Sequence, residues 1–221
     1  MAPGEGVPGC HLTALRQRLS MKRKKQRPHP DFNLPGRSKL TGRKSTLTGL
    51  FLNSVTPVVE PTASEVDRAL DCLGMQSGSC VCAYCGGHKS EWDHFRPIVI
   101  DRKPTGFITE IANLVPSCGK CNQSKGNKPW REWISGNARH SPKTRNIADL
   151  DERIRRLDQY ERSWTPVQLD YAQICGEDTW GRHLGNLDQV LTLLQEAEDT
   201  AEKCRDVVAA HLSKMRSNPP G

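Results

Sequence analysis

Two cysteine pairs, Cys82-x-x-Cys85 and Cys118-x-x-Cys121, bracket the tripeptide Trp92-Asp93-His94, and the second pair runs directly into Asn122-Gln123-Ser124-Lys125. Four thiolates at paired spacing suit a tetrahedral zinc ion. A complete four-cysteine site has no open position for water, so such a zinc organises a fold and performs no catalysis. Asp93 and His94 bring other chemistry. A carboxylate is a hard oxygen ligand suited to Mg²⁺, and an imidazole with an ordinary pKa of about 6.5 can accept a proton near neutral pH. Neighbours on a strand point to opposite faces, so one of the pair can hold a cation while the other addresses water. Asn122 offers a second, neutral oxygen ligand at the start of a predicted helix, whose free amides favour a bound phosphate. Phosphodiester hydrolysis needs this set: water must lose a proton, phosphate charge must be offset and the leaving oxygen stabilised.

The elements that must position these groups are short. Glu91-Trp92-Asp93-His94-Phe95 alternates enough for a strand. Residues 96–112, with Pro97, Pro104 and Gly106, read as a loop with a returning strand through Phe107-Ile108. From Asn122 a helix should run through Trp130 and Trp133, bent by Gly126 and Pro129. The pairs are separated by 32 residues, more than the roughly 15–20 of an ordinary zinc ribbon, so the insert carries the Asp-His strand. Cys80 is close enough in sequence to compete as a ligand. Trp92, Trp130 and Trp133 are expected core fillers.

Beyond the cysteines, the string Asp93-His94, Pro97, Asn113-Leu114-Val115-Pro116, Cys118-x-x-Cys121-Asn122 and Lys125 resembles the HNH endonuclease family over residues of about 82–131. The resemblance implies a ββα-metal fold with the catalytic histidine on its first strand. It implies His94 as general base, Asp93 as ligand of a catalytic Mg²⁺ or Mn²⁺, and Asn113 as the residue that ties down the loop and helps orient the histidine. Asn122 stands where many members carry a histidine and would be the second ligand. DNA is the implied substrate, cut to 5′-phosphate and 3′-hydroxyl ends, with RNA left open and a restriction or defence role expected. The alternative is a zinc-dependent nucleic-acid-binding protein without catalytic activity. The remaining three quarters of the chain stay unassigned.

Composition fits a small stapled core. Of 221 residues, 35% are hydrophobic and 5% aromatic, too few for one large core. No apolar run reaches the about 18 residues of a membrane span, and the N-terminus lacks a secretory pattern. Reduced, zinc-binding cysteines in an intracellular protein are therefore expected: cytoplasmic and nucleoid-associated in a bacterium, nuclear in a eukaryote. The charge is localised. Residues 16–44 hold 11 Lys or Arg against one acid, Asp31, in a chain of net +7. Lys22, Arg23, Lys24 and Lys25 lie at the centre of this phosphate-neutralising arm, and Lys125 and Lys128 are candidate nucleic-acid contacts.

The whole is expected to be an α+β protein. Residues 1–45 form a basic, disordered arm, and 46–78 a short helical lead-in with a capping box from Thr62 to Glu65 and a stop at Gly74. Residues 79–136 form the zinc and nuclease module, and 137–221 an α-helical extension. Within the extension, Ile147, Leu150, Ile154, Leu157 and Trp164 share a helical face. Leu187, Val190, Leu194, Ala197, Ala201, Cys204, Val208 and His211 step by heptads over 187–211, either pairing two chains into a homodimer or packing within one.

Overall fold

The computed structural model describes residues 35–217, so the Lys22, Arg23, Lys24 and Lys25 cluster lies outside the described residues. The ββα unit is assembled from β1 (Glu91–His94), β4 (Leu114–Ser117) and helix α3 (Gly119–Lys125). β1 and β4 pair antiparallel with Asp93 opposite Val115 and Trp92 opposite Pro116. The Phe95 N–H donates to the Asn113 carbonyl at 2.8 Å. Hydrogen-bonded pairs then fall at every second residue, and Pro116 occupies a position between them, where its missing N–H is not needed.

The returning strand is therefore Leu114–Ser117, and the expectation of Phe107-Ile108 is corrected. Phe107 makes only an isolated bridge, to Gln168. The connection instead contains a small hairpin of β2 (Val99–Ile100) and β3 (Lys103–Pro104), then a 3-10 turn over Ile111–Asn113. The single bent helix expected from Asn122 is two helices. α3 starts earlier, at Gly119, and ends at Gly126, whose φ of 51° stops it; α4 (Trp130–Ile134) begins after Pro129.

Around this unit lies one core in which Leu70, Tyr84, Phe95, Val115, Trp133 and Leu157 are buried together. Trp130 and Trp133 fill it as expected, whereas Trp92 is only half-buried. Helix α2 (Ala63–Cys72) carries the anticipated capping box between Thr62 and Glu65, and Gly74 follows with φ 65°. Helix α5 (Leu150–Ser163) places Ile154, Leu157 and Tyr160 against the module. The Tyr160 hydroxyl donates to the carbonyls of Ile111 and Leu114 at 2.6 and 3.0 Å, fixing both ends of the turn that carries Asn113.

The expected helical lead-in of 46–78 begins slightly earlier, inside the end of the arm. A 3-10 turn at Leu40–Arg43 leads into α1 (Lys44–Asn53). The rest of the chain adds α6 (Tyr171–Cys175) and the 41-residue α7 (Glu177–Ser217). α1 is held by a second small core of Leu52, Val99, Tyr171 and Trp180. Its leading turn is capped from a distance: Glu198 of α7 accepts from the Leu40 and Thr41 N–H groups and pairs with Arg205 at 2.9 Å. The first half of the heptad region thus packs within the chain. Leu187 and Leu191 are buried, whereas Ala197, Val208 and His211 are exposed. The a/d seam is not one continuous face here, because Leu191 and Glu198 are buried outside it.

Candidate active site and metal centre

The four cysteine sulfurs all lie within 4.8 Å of one another, and Cys85 Sγ and Cys118 Sγ are 3.8 Å apart. Tetrahedral bonds of about 2.3 Å put ligand sulfurs about 3.8 Å from each other, so the donor set fits a zinc ion. The first pair sits in a tight turn. The Cys82 N–H donates to the Gly87 carbonyl and the Gly86 N–H to the Cys82 carbonyl, both at 2.8 Å. Gly86 has φ 71°, and a Cβ on Gly87 would come within 3.4 Å of Cys85 Sγ. Arg145 adds a guanidinium donor to Cys121 Sγ at 3.3 Å. Cys80 stands outside the four-sulfur cluster.

This cysteine turn reaches β1 through one side chain. Tyr84, inside the first cysteine pair and fully buried, donates its hydroxyl to Asp93 Oδ2 at 2.6 Å. The same oxygen lies 3.0 Å from Lys125 Nζ, and Lys125 also donates to the His94 carbonyl at 2.7 Å. Burial dominates both charges: it pushes the Asp93 carboxyl up and the Lys125 ammonium down, against their mutual attraction. Lys125, expected as a nucleic-acid contact, is instead fully buried and serves Asp93 and the backbone of β1. Lys128 folds back on α3, donating to the carbonyls of Ser124 and Lys125 at 3.1 and 3.3 Å.

His94, on the opposite face of β1, lines a cavity of about 580 Å³. Its Nε2 lies 2.8 Å from Thr109 Oγ1. In the tautomer whose Nε2–H donates to that hydroxyl, Nδ1 keeps its lone pair. Burial, followed by the charge of Lys125, lowers the imidazole pKa to about 4, so the ring is neutral at physiological pH. Thr109 is fixed on both sides by backbone bonds, its N–H to Pro57 and its carbonyl from Val59, at 3.1 and 2.9 Å. Sequence reasoning missed Thr109, because a lone threonine in a proline-rich loop carries no local signal.

Asn113 is completely buried. Its Oδ1 accepts from the Arg96 N–H at 2.8 Å, and its Nδ2 donates to the carbonyls of Arg96 and Ile108 at 3.0 and 3.3 Å. It thereby ties both ends of the long connection to the strand carrying His94. Asn122, half-buried on α3, donates through Nδ2 to Glu91 Oε2 at 2.9 Å. Glu91 and Asp93 share a face of β1 by strand alternation. Glu91 is the second residue that the sequence motif did not single out.

With this geometry in view, comparison with known proteins is specific for one region. Residues 82–128 match the HNH endonuclease family. The chain is 41% identical over 63 residues to the CRISPR-associated endonuclease Cas9 of Corynebacterium diphtheriae, covering 27% of this chain and 5% of that protein. It is 35% identical over 68 residues to the Cas9 of Actinomyces naeslundii, covering 29% and 6%. The chain thus spans about one-twentieth of the length of these relatives. No solved structure matches it. Residues 82–128 are an HNH endonuclease domain.

Proposed function

We propose that the chain is an endonuclease that hydrolyses DNA phosphodiester bonds, with His94 as general base. The observation that carries this is a neutral imidazole held at the wall of a cavity by Thr109, on the strand of the HNH match. A base of depressed pKa stays unprotonated at neutral pH and is available to water approaching phosphorus. Asn113 acts as a positioning residue, since its three hydrogen bonds set the connection that returns the chain to β4.

The four-cysteine zinc is structural on this proposal, and it fixes Tyr84 against Asp93. Asp93 and Asn122 are hard oxygen donors of the kind that bind Mg²⁺ or Mn²⁺, and these two residues would hold the catalytic cation. Such an ion, when bound, offsets phosphate charge and stabilises the leaving oxygen. In the arrangement seen here, the Asp93 carboxylate is engaged by Lys125 and Tyr84, while Asn122 keeps its Oδ1 without a partner among the described residues.

The basic segment at Lys22, Arg23, Lys24 and Lys25 would add sequence-independent phosphate attraction. A restriction or defence role, an intracellular location, and pairing of two chains through the exposed heptad residues near Val208 complete the proposal. Among the described residues no helix is long and apolar enough to cross a membrane. The test is incubation of the zinc-loaded protein with plasmid and genomic DNA, with and without Mg²⁺ or Mn²⁺. Nicks or breaks carrying 5′-phosphate ends support the proposal, and discrete bands support restriction. Metal-independent binding with no cleavage of DNA or RNA leaves a zinc-dependent binding protein in its place.

A further inference from the structure

The cavity that His94 lines is only partly made by the HNH domain. Its other wall is α1, outside the matched residues, through Lys44, Ser45, Gly49 and Asn53. The β2–β3 turn contributes Arg102. Among the described residues no Asp or Glu lines the cavity, whereas Lys44 and Arg102 bring two cations to it. Among the described residues Lys44 gives its ammonium to a neutral amide, Gln195 Oε1 at 2.8 Å, and to no carboxylate. Arg102 is exposed and has no ion pair among the described residues.

Two features of this cavity run against local preference. Gly49 sits inside α1, where glycine is the poorest residue other than proline. A Cβ built on it meets nothing within 4 Å, so no packing against the protein demands its absence. The β2–β3 connection is a two-residue turn with φ 49° at Asp101 and φ 63° at Arg102, the geometry that favours Asn-Gly. The chain keeps a long cationic side chain at a position suited to glycine, and a glycine at a position suited to a side chain. Both departures face the space that contains His94. Local rules are broken in this way where a ligand gains from it.

We infer that α1 is the second wall of the catalytic cleft, with the space at Gly49 receiving a nucleic-acid strand and Lys44 and Arg102 holding the phosphates that flank the scissile bond. This rests on the nuclease proposal and extends it to residues outside the HNH domain. It also gives α7 a part in substrate binding, because Gln195 places the Lys44 ammonium and Glu198 caps the turn leading into α1.

The test uses the full zinc-loaded chain and four variants: Gly49→Glu, Gly49→Ala, Arg102→Gly and Arg102→Lys. Binding of a fluorescein-labelled mixed-sequence DNA is measured by anisotropy over a salt series without added Mg²⁺ or Mn²⁺, and plasmid nicking is measured with Mg²⁺. Gly49→Glu introduces a like charge beside the phosphates and should weaken binding by about tenfold or more, while its melting temperature does not fall. Gly49→Ala puts one methyl into the space the strand occupies and should weaken binding about threefold, less than Gly49→Glu does. Arg102→Gly relaxes the turn, so its melting temperature should hold or rise while the salt slope of binding falls by about one. Arg102→Lys should recover that slope. If Gly49→Glu and Arg102→Gly bind and nick as wild type does, the cleft is overturned and the nuclease stands. If both weaken binding but wild type cuts nothing, the cleft stands and the nuclease is overturned. A wild type that neither binds nor cuts DNA overturns both.

Discussion

Replacing Lys125 by Met would expose how far β1 depends on one buried ion pair. The Lys125 Nζ lies 3.0 Å from Asp93 Oδ2, and the two side chains are 0% and 5% exposed. At an effective dielectric of about 20, charges at this distance attract by about 5–6 kcal/mol. Desolvation opposes that attraction, as the upward displacement of Asp93 and downward displacement of Lys125 both indicate. The net worth of the intact pair is therefore small, but its rupture is not. Met preserves the chain's bulk while leaving the Asp93 charge buried with Tyr84 as its remaining partner. Loss of one member of a buried pair costs about 3–5 kcal/mol, and the lost bond to the His94 carbonyl adds about 1 kcal/mol. Lys125→Met should thus destabilise the zinc-loaded protein by about 4–6 kcal/mol in urea titration. The double variant Asp93→Asn with Lys125→Met removes the stranded charge and should recover at least about 2 kcal/mol of that loss. A Lys125→Met cost under about 1 kcal/mol, or a double variant no better than the single, would refute the idea that this lysine serves the strand.

Three further outcomes follow from the same geometry. Tyr84→Phe removes one hydrogen bond to a buried carboxylate and should cost about 1.5–3 kcal/mol by urea titration, with one zinc per chain still measured by atomic emission. Loss of zinc in that variant would mean Tyr84 supports the metal turn and not Asp93. Asn113→Ala strips three hydrogen bonds from the connection before β4, so stability should fall by about 2–3 kcal/mol and nicking should fall with it. Full activity would show that the connection positions itself without Asn113. Zinc removal should unfold the domain, because binding of a four-cysteine zinc is worth about 10–16 kcal/mol. Circular dichroism unchanged after chelation would contradict a folding role for the metal.

Much of the site was legible because its signals are local. The paired cysteines met in space, the alternation of Glu91–Phe95 became β1, and the capping box at Thr62 formed as the residue types required. The returning strand was hidden because Leu114–Ser117 includes a proline, which counts against a strand until the register shows that its N–H is not used. α1 was hidden for a different reason. Its Leu47, Leu50 and Phe51 share a face, but the buried residues are Thr48 and Leu52 while Leu50 is exposed, and the helix is held by distant partners, Trp180, His183 and Glu198. Lys125 was misplaced because a lysine four residues after Cys121 reads as a solvated helix face. Only the fold reveals that its stem runs inward to Asp93. Thr109 and Glu91 act through pairings across 15 and 31 residues, which no short motif encodes.

The central claim is that His94 is the base in an HNH nuclease, and plasmid nicking by wild type beside His94→Ala tests it most directly. Zinc content and melting temperature of the variant are checked first, so that a folded module is compared with a folded module. Wild type should convert supercoiled plasmid to nicked or linear forms with added Mg²⁺ or Mn²⁺, and zinc-replete His94→Ala should be slower by about 100-fold or more. A zinc-replete His94→Ala protein that cuts as fast as wild type would contradict the assignment.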